Sequence, residues 1–160
     1  MQKVGVGELL LGKSARSGDG APMGGEWVDV LRDVPLFAPL SKRHVKRIAN
    51  LGRPQRFAAG ARIVRKGQRA ESFYVILDGE ATVSLGSGKA RVLRAGDFLG
   101  ELALFDGKPR SATVTAKTPL LTMRIARRPF LKLVGSDSEL ALGLLKALSE
   151  RLRASTAPSE

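Results

Sequence analysis

Short apolar runs cut by glycine turns roughly every 8–12 residues fill the middle of this chain, a pattern that suggests a β-sandwich or jelly roll. QRF-AAG-ARIVRKG places Gly60 and Gly67 at turns. ESFYVILDGEATVSL reads as two strands joined at Asp78-Gly79, a strong hairpin signal. GSGKARVLRAGDF adds a hairpin around Gly86–Gly88 and a turn at Ala95-Gly96. SATVTAKTPLLTMRIAR supplies two more strands, broken at Thr118-Pro119.

Helical spacing flanks the strands on both sides. WVDVLRDVPLFAPL sets Trp27, Val30, Leu31 and Val34 on one face before Pro35 and Pro39 impose turns. SKRHVKRIANLG reads as a second helix, with Ser41 as cap, Val45, Ile48 and Ala49 as buried face, and Gly52 as stop. His44, the only histidine, is expected on its exposed side. After the strands, RRPFLKLV is a short amphipathic piece, and Ser136 and Glu139 have capping-box spacing. The helix ELALGLLKALSERLRAS stacks Leu140, Leu144 and Leu148, with Leu145 and Leu152 adjacent. Residues 1–25 are Gly-rich without a period and read as a flexible tail. One domain is therefore expected over 26–156, with helices at 27–51, a β-roll at 54–126 and C-terminal helices at 127–156.

Composition excludes several chemistries. The chain has 160 residues and no cysteine, so nothing depends on disulfides, iron–sulfur ligation or a thiol nucleophile. One histidine cannot build a multi-histidine metal site. No apolar run approaches the ~20 residues of a membrane span, and a cytoplasmic location is the expectation. The net charge of +12 is unevenly placed. Residues 41–70 hold ten basic and no acidic side chains, either a solvated face or a surface for an acidic partner, nucleic acid or anionic lipid.

The richest chemistry lies in FLGELALFDGKPRSATVTA, from Phe98 to Ala116. Gly100 allows close backbone approach, and the first amides of a short helix nearby point at an anion. Arg110 offers a planar fork for phosphate oxygens. Glu101 offers an acceptor for a sugar hydroxyl. A small, singly phosphorylated ligand with a sugar fits this set. A second phosphate pattern, Gly7–Ser14 with Lys13, matches a P-loop. ARSGDGAPMGG follows it and cannot make the firm helix that motif needs, so it is read as a decoy.

On Phe98, Gly100, Glu101, Leu102, Ala103, Arg110, Ser111 and Ala112, the segment resembles the phosphate-binding cassette of the cyclic nucleotide-binding domain family. The resemblance runs from about Val34 to about Thr156. It implies a mainly β fold, an eight-stranded jelly-roll-like β-roll with flanking N- and C-terminal helices, in agreement with the strand pattern. It also implies the site. Arg110, Ser111, Ala112 and Ala103 would hold the cyclic phosphate, and Gly100, Glu101 and Leu102 the ribose. Val83 would line the pocket or only the core. ERLRAST resembles the segment that contacts adenine, which makes Ser155 and Thr156 base candidates or simply an exposed terminus. Relatives that prefer cyclic GMP often carry Thr after the arginine. Ser111 stands here, as in cyclic-AMP-binding bacterial regulators, so cyclic AMP is favoured. The hydroxyl keeps cyclic GMP open.

A sensor without catalytic activity follows from the resemblance, with no cofactor beyond its ligand and no metal. Its C-terminal helices would reposition to signal to a separate protein effector. In the family that element closes over the base or pairs with a second subunit, so a homodimer is a further arrangement. No helix-turn-helix follows in this sequence, so sequence-specific DNA binding is not expected. The competing expectation is a ligand-free β-roll that binds an acidic partner, nucleic acid or anionic membrane through 41–70. Only Phe57 is aromatic in that stretch, which argues against stacking on single strands.

Overall fold

The computed structural model describes residues 25–84 and 88–156. The P-loop-like run Gly7–Ser14, and the tail apart from Gly25, lie outside them. Two helices come first, α1 (Gly25–Arg32) and α2 (Lys42–Ala49). Four strands follow: β1 (Arg53–Phe57), β2 (Arg62–Val64), β3 (Ser72–Asp78) and β4 (Ala81–Ser84). Then come β5 (Ala90–Leu93), β6 (Phe98–Leu99), β7 (Thr113–Ala116) and β8 (Leu120–Ala126). A short helix α3 (Ala103–Asp106) lies between β6 and β7, and α4 (Arg127–Ser136) and α5 (Ser138–Thr156) follow β8.

The strands make two antiparallel four-stranded sheets, ordered β1-β8-β3-β6 and β2-β7-β4-β5. The chain changes sheet at every connection except β4–β5, which produces the β-roll. Asp78-Gly79 is therefore a corner and not the hairpin expected from its residues. The β3–β8 register shifts between Ile76 and Asp78, turning the chain out of its sheet. Gly79, at φ 96°, presses on the second corner, where an added Cβ would meet the Pro119 carbonyl oxygen. Thr118 Oγ1 accepts the Glu80 N–H at 3.0 Å, joining the two corners.

The centre of the first sheet, β3 and β8, is buried on both faces, which explains the unbroken apolar run of β3. Phe73, Val75 and Leu77 point toward the helices, with Leu121, Met123 and Ile125 of β8. Tyr74 and Ile76 point between the sheets, with Ile63, Val83, Leu93, Val114 and Leu120. This is the period-two alternation of a strand with two apolar environments. The outer core is completed by Trp27, Leu31, Phe37, Ile48, Phe130, Leu140 and Leu144, all essentially inaccessible. Leu145 and Leu152 do not join that stripe and stay 62% and 65% exposed. Ala147 takes the buried position instead.

His44 also departs from expectation: it is buried, at 8% exposure. It faces Asp137, which lies between α4 and α5, forms an ion pair with Arg47 and sits 3.8 Å from His44 Nε2. Asp137, rather than Ser136, caps α5 by accepting the Leu140 N–H at 3.0 Å. That bond holds the Asp137 carboxyl below the ordinary carboxylate range. Burial opposes the shift, and the charges of Arg47, His44 and Arg43 reinforce it. Ser136 instead turns its hydroxyl onto the Leu133 carbonyl at 3.0 Å.

Gly52 shows how tightly the N-terminal helices are seated. A Cβ there would lie 2.5 Å from Trp27 Cζ3 and 2.9 Å from Met123 Sδ. Gly52→Ala is expected to destabilise the fold by about 1–3 kcal/mol through overpacking. A fall in the urea midpoint at unchanged slope would show it; an unchanged midpoint would mean that Trp27 shifts freely.

Candidate functional site

The site begins where β6 ends. Pairing of Leu99 with Tyr74 and of Phe98 with Val75 anchors β6 on β3. Gly100 then turns the chain at φ 83°, and α3 follows, closed by Gly107 at φ 62°. Side chains of this turn face an open cavity of about 700 Å³ between the cassette and the second sheet.

Arg110 enters that cavity from a clamped backbone. Its N–H donates to the Gln68 carbonyl at 2.7 Å, and its carbonyl accepts the Gly67 N–H at 2.8 Å. The guanidinium crosses beneath Gly100 and donates from Nη2 to the Ser72 carbonyl. A Cβ on Gly100 would run into Arg110 Nη1, so glycine serves both the left-handed turn and the close approach. Burial pushes the Arg110 pKa below its ordinary value, against a smaller opposing effect of Tyr74. Among the described residues no carboxylate forms a salt bridge with this half-buried cation. An incoming anion would supply the counter-charge.

Glu101 and Arg110 do not pair with each other. Glu101 is 9% exposed, and its Oε1 accepts from Arg151 Nη1 of α5 at 2.7 Å. The last helix is thus tied directly to the cassette. One carboxylate oxygen is engaged in that bond, and a carboxylate offers two.

The structure brings most of the sequence candidates together. Gly100, Glu101, Leu102, Ala103, Arg110, Ser111, Ala112 and Val83 all line the cavity. Val83 belongs to the inter-sheet core as well, so it faces both. The Ala103 N–H is turned onto the Gly100 carbonyl at 3.1 Å, closing the turn rather than standing free. Ser155 and Thr156 fall in the last turn of α5, and their side chains lie outside the described set.

Two residues at the site escaped sequence reading. Arg151 follows Leu144 and Leu148 on the buried face of α5, and a cation at that period was the available signal. Arg127 donates from Nη2 to the Phe105 carbonyl at 3.0 Å, so α4 holds the end of α3. It sits in a plain basic run that carries no such message. Aromatic edges make a second link between cassette and helices. Phe105 meets Phe130 at 5.5 Å, Phe130 meets Phe37 at 6.3 Å, Phe37 meets Phe73 at 5.8 Å, and Phe73 meets Phe98 at 6.1 Å. That chain starts and ends in the cassette.

The basic stretch is spread rather than gathered. Lys42, Arg43 and Lys46 are exposed on α2, Arg53 and Arg56 on the edge strand β1, and Arg62 on β2 at the edge of the other sheet. Among the described residues no cluster of three or more His, Asp or Glu could hold a metal ion. No described helix is long and apolar enough to cross a membrane.

Comparison with known proteins agrees with this geometry. The family model described as the cyclic nucleotide-binding domain matches residues 54–137. The cAMP-dependent protein kinase regulatory subunit of Colletotrichum orbiculare is 38% identical over 109 residues, 67% of this chain and 28% of the relative. The N-terminal domain of a transcriptional regulator from Streptomyces coelicolor A3(2) matches with TM-score 0.71 and 29% identity, over 79% of this chain and 92% of that one. The regulatory domain of Toxoplasma gondii PKA, crystallised with cAMP, matches with TM-score 0.61 and 28% identity, over 80% of this chain and 49% of that one. The chain spans about a quarter to a third of the length of the curated relatives it matches.

Proposed function

This chain belongs to the cyclic nucleotide-binding domain family, and we propose that it is a non-catalytic sensor of 3′,5′-cyclic nucleotides that favours cyclic AMP over cyclic GMP. The phosphate meets Arg110, the turn at Gly100–Ala103 and the segment Ser111–Ala112. The ribose 2′-hydroxyl donates to Glu101. Ser111 after the arginine, and relatives named for cyclic AMP, support the order of preference. The output is the position of α5, read by a separate protein or by a second copy of the chain.

The observation that carries this reading is the Arg151–Glu101 bond. It joins the acid expected to hold the ribose to the helix expected to report. Arg151 fixes one oxygen of Glu101 and leaves the other for the hydroxyl, so helix docking and ligand binding favour each other. Coupling of this kind is reciprocal: what α5 contributes to the ligand, the ligand contributes to α5. The ligand then acts by shifting a population between docked and released helix.

Hydrogen exchange tests both halves. Saturating cyclic AMP is expected to slow exchange in the cassette and along the C-terminal half of α5. In Arg151→Ala the cassette should still be protected by ligand and that half of α5 should not, with affinity reduced about three- to tenfold, the low end of typical couplings for a partly exposed pair. Protection of α5 that survives the substitution would contradict the coupling. A cassette unaffected by ligand would contradict the sensor reading itself. The basic surface is the second reading, and its spread over a helix and two sheet edges gives it less support.

A further inference from the structure

We propose that Arg124 is a positioning residue for the phosphate site: it fixes Ser72, and Ser72 fixes where Arg110 stands in the cavity; this rests on the sensor reading above. Arg124 lies on β8 directly opposite Tyr74 of β3, and Ser72 lies opposite Ala126, so Arg124 and Ser72 are diagonal neighbours in one ladder. A long side chain spans that diagonal. Arg124 Nε donates to Ser72 Oγ at 2.7 Å. The carbonyl of the same buried serine accepts from Arg110 Nη2. Two guanidinium groups thus share one residue, one on its hydroxyl and one on its carbonyl. Arg124 has no acid to hold it: its neighbour on the other side of β8 is Arg53, and no carboxylate among the described residues forms a salt bridge with it.

Ser72 opens β3, at the end of the β3–β8 ladder. The Arg124 bond adds a side-chain restraint where the ladder stops. Its effect reaches the ligand through Arg110, because neither Arg124 nor Ser72 is among the residues that line the cavity. Arg110 Nη1 lies under Gly100 while Nη2 rests on the Ser72 carbonyl. A shift of that carbonyl tilts the fork away from an incoming phosphate, and charge-assisted bonds are short and geometrically specific. The phosphate is common to cyclic AMP and cyclic GMP, so Arg124 sets affinity for both alike and leaves their order unchanged.

Titration of cyclic AMP and cyclic GMP into the full chain, Arg124→Met, Ser72→Ala and the double variant tests this, beside the same substitutions made on Arg110→Ala. Arg124→Met and Ser72→Ala each remove the same hydrogen bond. Each is expected to weaken both ligands about three- to tenfold, the net contribution of one hydrogen bond expressed as affinity, and the double variant should lose no more. On Arg110→Ala neither substitution should reduce the remaining affinity further, since the residue they position is gone. A loss from Arg124→Met that Ser72→Ala does not reproduce, or that persists on Arg110→Ala, would reduce Arg124 to a general positive charge and overturn the inference. Unchanged affinity in both single variants would overturn it as well. Ser72→Ala carries the test by itself if Arg124→Met does not fold, as judged by thermal melting. If the unsubstituted chain binds neither nucleotide, the sensor reading fails, and this inference falls with it.

Discussion

Arg110→Ala is expected to weaken cyclic AMP binding by at least about tenfold and to leave the fold in place. The guanidinium lies half-buried within the cassette, held by the Ser72 carbonyl and by no carboxylate among the described residues. A charge-assisted hydrogen bond contributes roughly 1.5–3 kcal/mol, which is about one to two decades of affinity. The backbone bonds of residue 110 to Gln68 and Gly67 do not involve the side chain, so truncation leaves the clamp intact. Arg110→Lys keeps the charge but loses the planar fork, and it should fall between the two. The check is a binding isotherm beside a thermal melt. Lost affinity with a preserved melt is the predicted pair of results, and unchanged affinity would remove Arg110 from the phosphate site.

Gly100→Ala is expected to be at least as damaging, for a different reason. The residue holds φ 83°, where a side chain is strained, and its Cβ would displace the Arg110 guanidinium. Strain of this type costs about 1–3 kcal/mol, and the displaced arginine removes the phosphate contact as well. Gly60 supplies the control. It has φ 89°, but an added Cβ would meet nothing within 4 Å. Gly60→Ala should lose stability and keep affinity, whereas Gly100→Ala should lose both. Equal affinities in the two variants would mean that the close approach of Gly100 to Arg110 does not shape the site.

What the residues revealed in advance was local. The cassette could be read because its glycines, acid and arginine lie within fifteen residues, from Phe98 to Ala112. Short contiguous segments of this kind keep their chemistry in order along the chain. The β-roll could be read because alternation and glycine turns are also local signals. Contacts between distant segments could not. Asp78-Gly79 looks like a hairpin because a dipeptide specifies a reversal and says nothing of which sheet receives the next strand. His44 looked exposed on its own helix, but it is buried, and Asp137, far along the chain, lies 3.8 Å from its Nε2. Arg151 reaches Glu101 across fifty residues. The Arg124 side chain donates to Ser72 Oγ at 2.7 Å, behind the carbonyl that holds Arg110. The contact between site and helix is made across this distance, and a cation on an apolar stripe was the most the sequence carried to point to it.

In the proposed sensor, α5 would link these points to an output. Its N-terminus is capped by Asp137 against α2, its middle is buried through Leu140, Leu144 and Ala147, and its last turns are tied to the cassette by Arg151. The three attachments differ in kind. The cap and the apolar stripe touch no group assigned to the ligand and are expected to hold with or without it. The Arg151 contact alone touches a group assigned to the ligand. Movement on binding is therefore expected in the C-terminal half of α5, with the N-terminal half as a fixed base. The exposed Leu142 and Leu145 mark its outer face.

The central claim is that a cyclic nucleotide occupies the cavity at Gly100 and Arg110. Isothermal titration of the purified chain with cyclic AMP, with cyclic GMP and ATP as parallel titrants, tests it most directly. Saturable one-to-one binding of cyclic AMP, tighter than cyclic GMP, with no heat from ATP, is the predicted result. No saturable heat and no thermal stabilisation with either cyclic nucleotide would contradict it.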